Sequence, residues 1–193
     1  MKTPGLLLVA IFATTGAHAL EYKPYFSIGG GYSDSRINIS RGNASVSSNG
    51  LSLGAVAGVR MNQYTAFEVN GNVNQMRIAG TDSHSDLTFV SVMPGVRMGV
   101  KIGGLFYPYI GASVGPSWTI NKYAVGDTST KETKTTFAYQ GRAGIAFNMG
   151  TGAGLDVGVR YVSLGHLKID GTDFGIDGTV TSFNYYITAS YGF

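Results

Sequence analysis

Cysteine is absent from the whole chain. With nothing to cross-link, the small secreted scaffolds that depend on disulfides are excluded. Charge is sparse too: Asp, Glu, Lys and Arg together make up 13% of the residues, and the formal net charge is +3. No Lys/Arg run concentrates that excess, so the footprint of a nucleic-acid binder is missing. Beyond the N-terminus no stretch supplies the ~20 consecutive apolar residues of a membrane helix, and no segment has a convincing helical period. The 29 glycines are about twice the usual ~7% share, and no three-residue period accompanies them that would indicate collagen. They need a structural reason of another kind. What remains is a chain of 193 residues, 44% hydrophobic, which is one domain by length and apolar enough to fold.

The N-terminus reads "MKTPGLLLVAIFATTGAHA": Lys2, an apolar run from about Leu6 to Ala13, and Ala17-His18-Ala19 as an A-x-A cleavage site. These are the regions of a secretory signal in order. We expect residues 1–19 to be removed and residues 20–193 to form the mature domain. An exported chain without disulfides or a second hydrophobic helix is either a soluble periplasmic protein or a membrane barrel.

Alternation supplies the elements. The chain closes on "FNYYITASYGF", in which Phe183, Tyr185, Ile187, Ala189, Tyr191 and Phe193 form an apolar row with polar or small residues between them. That is a strand with two different faces. The same pattern recurs over 24–33, 51–61, 64–75, 87–99, 106–118, 136–149 and 154–164, which with 181–193 makes eight strands. The connections alternate between short turns ("NQ", "VKIGGL", "GTGA") and four long polar loops. Short turns at one end and long loops at the other describe an antiparallel up-and-down barrel.

A soluble barrel would turn its apolar row inward, a membrane barrel outward. Residue size settles the choice, because an eight-stranded barrel has an interior just wide enough for its own side chains. The apolar row carries Phe26, Ile28, Tyr32, Leu51, Leu53, Phe67, Val69, Ile110, Trp118, Phe137, Tyr139, Ile145 and Tyr161, and would overfill it. The opposite row carries Gly29, Gly31, Gly54, Gly58, Gly95, Gly111, Gly115, Gly144 and Gly158, so this row is the expected interior. Arg60, Glu68, Arg97, Arg142, Asp156 and Arg160 share its parity. Facing lipid near mid-membrane, each Arg would cost ~2–4 kcal/mol; facing inward, they can pair. We expect Glu68 to be shared by Arg60 and Arg97, and Asp156 by Arg142 and Arg160, as a network that plugs and stiffens the lumen. Aromatic residues bracket the aliphatic middle of several strands, as in the two interfacial girdles of membrane barrels.

The stretches "PYFSIGGGYS", "YPYIGASVGPS", "LDVGVRYVSLG" and the final "YITASYGF" resemble the small Gram-negative outer-membrane barrels of the opacity-protein and OmpA-like transmembrane-domain superfamily. The resemblance covers essentially the whole mature chain. It implies an integral outer-membrane barrel with its loops outside the cell, surrounded by lipid and lipopolysaccharide. It also implies that the terminal row Phe183, Tyr185, Ile187, Tyr191 and Phe193 is the signal read by the barrel-assembly machinery. Nothing follows Phe193, so the peptidoglycan-binding domain of full-length OmpA proteins, and any role in anchoring the cell wall, is not expected.

Catalytic and ligand motifs are weak. "HSD" at 84–86 has the wrong spacing for the His-x-Ser pair of lipid A deacylases and is expected in a loop, as is His166; a nucleophile needs its base within hydrogen-bond reach. "DGTDFGIDG", with Asp170, Asp173 and Asp177, offers oxygen ligands without the spacing of an EF-hand. "NAS" at 43–45 is a glycosylation sequon without meaning in a bacterial export context. The glycine-rich pieces belong to strands and a turn and do not support phosphate binding. No cofactor or metal is expected. The sequence therefore points to a monomeric outer-membrane barrel whose loops adhere to host surface molecules or help maintain the envelope, without catalysis. A narrow anion-favouring channel is the alternative, and a lipid-modifying enzyme a third reading.

Overall fold

The computed structural model describes residues 23–39, 45–79, 84–125, 128–150, 152–169 and 176–192. The expected signal segment and cleavage site, and Asn43, Ser83, Asp170, Asp173 and Phe193, lie outside the described residues. Eight antiparallel strands follow in chain order: β1 (Lys23–Ile39), β2 (Ser45–Arg60), β3 (Thr65–Ala79), β4 (His84–Gly99), β5 (Phe106–Val125), β6 (Thr128–Asn148), β7 (Ala153–Ile169) and β8 (Ile176–Tyr191). Each pairs with the next, and β8 returns to β1, so the sheet closes into a barrel. Tracing pairs around the barrel from Asp34 through Phe183, Tyr161, Gly141, Ala112, Val96, Phe67 and Val59 leads back to Pro24, a stagger of ten residues (34 − 24). Ten residues at about 3.3 Å against eight strand spacings of about 4.8 Å tilt the strands by about 41°, within the range of closed barrels.

The short turns have local causes. Asn62 Oδ1 accepts the backbone N–H groups of Tyr64 and Thr65, both at 2.8 Å, and thereby folds the β2–β3 turn. Gly103 and Gly104 (φ +60° and +75°) turn β4 into β5, in a left-handed conformation that suits glycine.

The strands run further toward the loop end than the alternation indicates. β5 and β6 continue past Trp118 and Phe137 to Val125 and from Thr128, roughly 20–30 Å of additional strand. The reason is a change of surroundings. Up to Tyr32, Val73, Val90, Tyr161 and Phe183 the outer face meets lipid and is apolar. Beyond them the outer face carries Asp34, Arg36, Arg77 and Asp86, while Ile37, Met76, Leu87, Phe89, Val162, Leu164 and Val180 turn inward and are buried. The hydrophobic alternation reverses phase without the strand ending, so a reading that follows one phase stops too early.

The ladder also opens at the loop end. The β2–β3 pairing stops at Ser52–Asn74 and the β6–β7 pairing at Tyr139–Ser163, while their other neighbours remain paired further out. Above these points the backbone ladder runs as two four-stranded leaves, β7-β8-β1-β2 and β3-β4-β5-β6, which side chains still join: Ser48 donates to the Arg77 carbonyl at 2.7 Å and Thr136 to the Leu164 carbonyl at 2.6 Å. Within the first leaf a bulge interrupts the β7–β8 pairing between Ser163 and His166, where Gly165 lies at φ +86°.

Candidate functional site

Inward-facing side chains fill the barrel in layers. At the short-turn end Tyr25, Arg60 and Tyr107 meet, with the Arg60 guanidinium 5.1 Å from the Tyr107 ring centroid and 5.9 Å from that of Tyr25. Such placement over ring faces holds a cation by cation–π attraction. The next layer holds the buried charges. Glu68 receives Arg142, and Arg97 Nε lies 3.3 Å from its carboxylate. Tyr25 donates its hydroxyl hydrogen to the same carboxylate. Arg97 reaches on to Asp156, 3.9 Å away. Tyr109 donates to Asp156 at 2.8 Å and accepts from Tyr186 at 2.5 Å. Arg160 donates to Asn72, whose amide donates to Gln140 at 3.2 Å.

All six charged residues named from the sequence thus share the interior, but they divide differently from the expected pairs. Arg142 goes to Glu68 rather than to Asp156, Arg160 hydrogen-bonds Asn72, and Arg97 bridges both acids. The stagger is the physical reason: tilted strands bring together residues from different sequence heights, and alternation contains no information on that offset. Buried charges at this separation require shared hydrogen bonds to offset their lost hydration.

The tyrosines are what the sequence reading missed. Tyr25, Tyr107, Tyr109 and Tyr186 have the parity of the glycine row, the one available signal, and all four point inward and are buried. Three lie across from a glycine: Tyr25 opposite Gly58, Tyr109 opposite Gly144 and Tyr186 opposite Gly158. A Cβ on those glycines would come within 2.6 to 2.8 Å of the facing ring or its hydroxyl. Part of the glycine excess is therefore the space that these rings occupy, a cross-strand device that also pins register.

Above the charges comes a hydroxyl and amide layer. Ser33, Ser35 and Ser182 hydrogen-bond one another within 2.7–3.1 Å, and Ser182 donates to Asn184 at 3.0 Å. The loop end is then filled by one apolar cluster of Ile37, Met76, Leu87, Phe89, Met93, Ala138, Val162, Leu164 and Val180. These side chains are at most 2% exposed, so the lumen is closed there by packed apolar groups.

The outer face is opposite in character. Phe26, Ile28, Leu51, Leu53, Ile110, Phe137, Tyr139 and Ile187 are all exposed, in a continuous band that only lipid can cover. In the closing strand Phe183, Tyr185, Ile187 and Tyr191 are on this face, and Tyr191 pairs with Phe26 and Ala153.

The weaker motifs fall elsewhere than expected. His84, Ser85 and Asp86 open β4 instead of lying in a loop, and Asp86 accepts a hydrogen bond from Arg77 at 2.7 Å. His166 is in β7 beside the bulge, and Asp177 is in β8. The sequon is split between undescribed residues and Ser45, the first of β2.

No curated protein matches the chain in sequence. Among solved structures it is similar to Neisserial surface protein A (NspA), with a TM-score of 0.63 and 19% identity over 87% of this chain and 97% of that one. It is also similar to Ail, the attachment invasion locus protein of Yersinia pestis, in its complex with the heparin analogue sucrose octasulfate (TM-score 0.56, 19% identity, 88% and 99% covered). OprG from Pseudomonas aeruginosa has the same fold (0.53, 14%, 89% and 98%). Residues 5–193 match the profile of the outer membrane protein beta-barrel domain, and the chain, with its lipid-facing band and filled lumen, belongs to that family of integral outer-membrane barrels.

Proposed function

We propose that this barrel works at the cell surface, where its loop end engages molecules outside the cell, in adhesion or in envelope maintenance, and does so without catalysis. The observation that carries the reading is the continuation of the strands beyond the lipid band as two leaves with water-facing exteriors. Asp34 and Arg36, and Arg77 and Asp86, decorate those exteriors as exposed pairs. A rigid scaffold that raises its connections clear of the membrane suits recognition. The short turns then face the periplasm, where the signal segment delivers the chain, and the closing strand is presented to the assembly machinery. Lipid and lipopolysaccharide surround the band. The packed apolar cluster at the loop end favours this reading over an anion-selective channel, because ions would have to cross a dry layer.

Ail was solved with a heparin analogue, which makes a sulfated polysaccharide the first probe for this chain. The test is retention of cells displaying the barrel, against cells with an empty vector, on heparin-coated and on epithelial surfaces. Severalfold higher retention on either is expected. Vector-level retention on both, together with a steady anion conductance of the purified barrel in planar bilayers, would replace the reading by the channel.

A further inference from the structure

The apolar outer face does not stop at the aromatic border of the short-turn end on every strand. On β4 its outward row runs on through Met98, Val100 and Ile102, and on β5 Phe106, Pro108 and Ile110 return beside it. Val100, Ile102 and Leu105, with Met149 from the end of β6, are between 50% and 61% exposed. Lys101 is the one charged residue from Met98 to Ile110. Across the barrel, among the described residues, the same face ends with Tyr191 on β8 and with Phe26 and Pro24 on β1.

The ten-residue stagger sets how far the β4–β5 turn reaches. Paired positions descend toward the short turns from β6 to β5 to β4, by about 3 Å per strand (~4.8 Å × sin 41°). Phe147 pairs with Phe106, and Phe106 with Ile102. Ile102 therefore lies about 6 Å beyond Phe147, by two such steps. A bilayer adds roughly 5–7 Å of headgroup layer on each side of its hydrocarbon core, so this turn spans that layer.

Its backbone is built for such a place. Ile102 and Phe106 exchange both backbone hydrogen bonds, at 2.8 and 3.2 Å, Val100 donates to the Pro108 carbonyl at 3.1 Å, and Asn148 donates to the Leu105 carbonyl at 2.9 Å. Gly103 and Gly104 close the tip. Paired backbone groups are what a segment needs where water is scarce, and they hold the apolar side chains outward in a fixed hairpin.

We propose that the β4–β5 turn is a one-sided lipid anchor, in which Val100, Ile102 and Leu105 sit among the glycerol and upper acyl groups of the short-turn leaflet and fix the depth of that side of the barrel. The occupant is lipid because the patch continues the lipid-facing band without a polar break and ends within the thickness of the headgroup layer. Lys101 is long enough to keep its ammonium among the phosphates while its stem stays with the apolar groups. That the leaflet is the periplasmic one rests on the orientation proposed above; the depth does not.

The chain has no cysteine, so one nitroxide label can be placed at a time. The full barrel is refolded into phosphatidylcholine vesicles as I102C, L105C or Q63C, the last on an exposed position of the polar β2–β3 turn, and folding is checked by heat-shifted migration. Collision of each label with oxygen, which favours lipid, is compared with collision with a water-soluble nickel chelate. Oxygen is expected to exceed nickel severalfold at 102 and 105, and nickel to exceed oxygen at 63. A V100C label should gain nickel collisions severalfold when I102S/L105S is added. Nickel-dominated collision at 102 and 105, as at 63, overturns the proposal, and either position suffices if the other variant does not fold. Spin–spin broadening among I102C barrels would put a second copy on the patch, and a label mobile in vesicles but immobilised in native outer membranes would put a protein partner there; either result overturns the lipid assignment. None of these readings involves surface attachment, so the outcome of the adhesion test does not bear on them.

Discussion

Glu68 is 4% exposed and receives Arg97, Arg142 and the Tyr25 hydroxyl. Removing it would strand two guanidinium groups in a lumen that water enters poorly. Glu68→Ala is therefore expected to destabilise the folded barrel by about 3–5 kcal/mol, the usual effect of breaking a buried ion pair. Urea unfolding in detergent, followed by tryptophan fluorescence and gel shift, measures it; a change below about 1 kcal/mol would mean that the network is not structural. At this scale the sequence was informative about which residues enter the lumen and silent about whom they meet. Parity alone places Arg60, Glu68, Arg97, Arg142, Asp156 and Arg160 inside. Their partners depend on the ten-residue stagger, which belongs to the closed sheet. The inward tyrosines were obscured for a related reason: aromatic residues also make girdles, and only their parity with the glycine row identifies them as lumen groups.

A strand in this barrel crosses two environments, and β6 illustrates the first. Ile145 is 42% exposed to the lipid side, while Ala146 is fully buried in the lumen. Ile145→Arg is expected to lower stability by about 2–4 kcal/mol, as for a cation near the bilayer midplane, and Ala146→Ser to be tolerated within about 1 kcal/mol. Matching losses in the two variants, read from refolding into phospholipid vesicles, would reverse the assignment of faces. The lipid-crossing half of every element was legible, since apolar outward alternation is strong there. The outer half was not. In β1, Tyr32 faces out and Ile37 faces in, five residues apart, because the solvent beyond the girdle is water and the core moves inside. Thr128–Thr136 of β6 has no apolar row at all, and its backbone pairing with β5 was invisible to any hydrophobic pattern. The two leaves, and with them the surface that the proposed function uses, are structure above the level at which lipid marks the sequence.

Closure is a property of the whole molecule and has a different cause at each end. At the loop end Leu87, Phe89 and Met93 seal the lumen, so the wild type is expected to show no steady conductance. Leu87→Ala with Phe89→Ala should introduce openings of measurable size in planar bilayers; silence in that variant would place the seal at the charged layer. Around the circumference closure depends on β8 meeting β1 from Phe26–Tyr191 to Ile39–Gly178, since an open sheet edge does not survive in lipid. The strand that makes this last pairing also carries the aromatic row toward the short-turn border, with Tyr191 exposed beside Phe26. One segment thus serves insertion, closure and, in the proposed reading, recognition by the assembly machinery. Replacing both Tyr191 and Phe193 with Ser, or deleting Phe193, is expected to reduce assembled barrel severalfold, whereas altering as many residues at a loop tip should leave it near the wild-type level. Export should be unchanged, because residues 1–19, the expected signal, are untouched. The measurement is the heat-shiftable fraction in outer-membrane preparations, with total periplasmic plus membrane protein as the export control. Wild-type assembly of the terminal variants would reduce the closing aromatic row to a lipid-facing surface like that of the other seven strands.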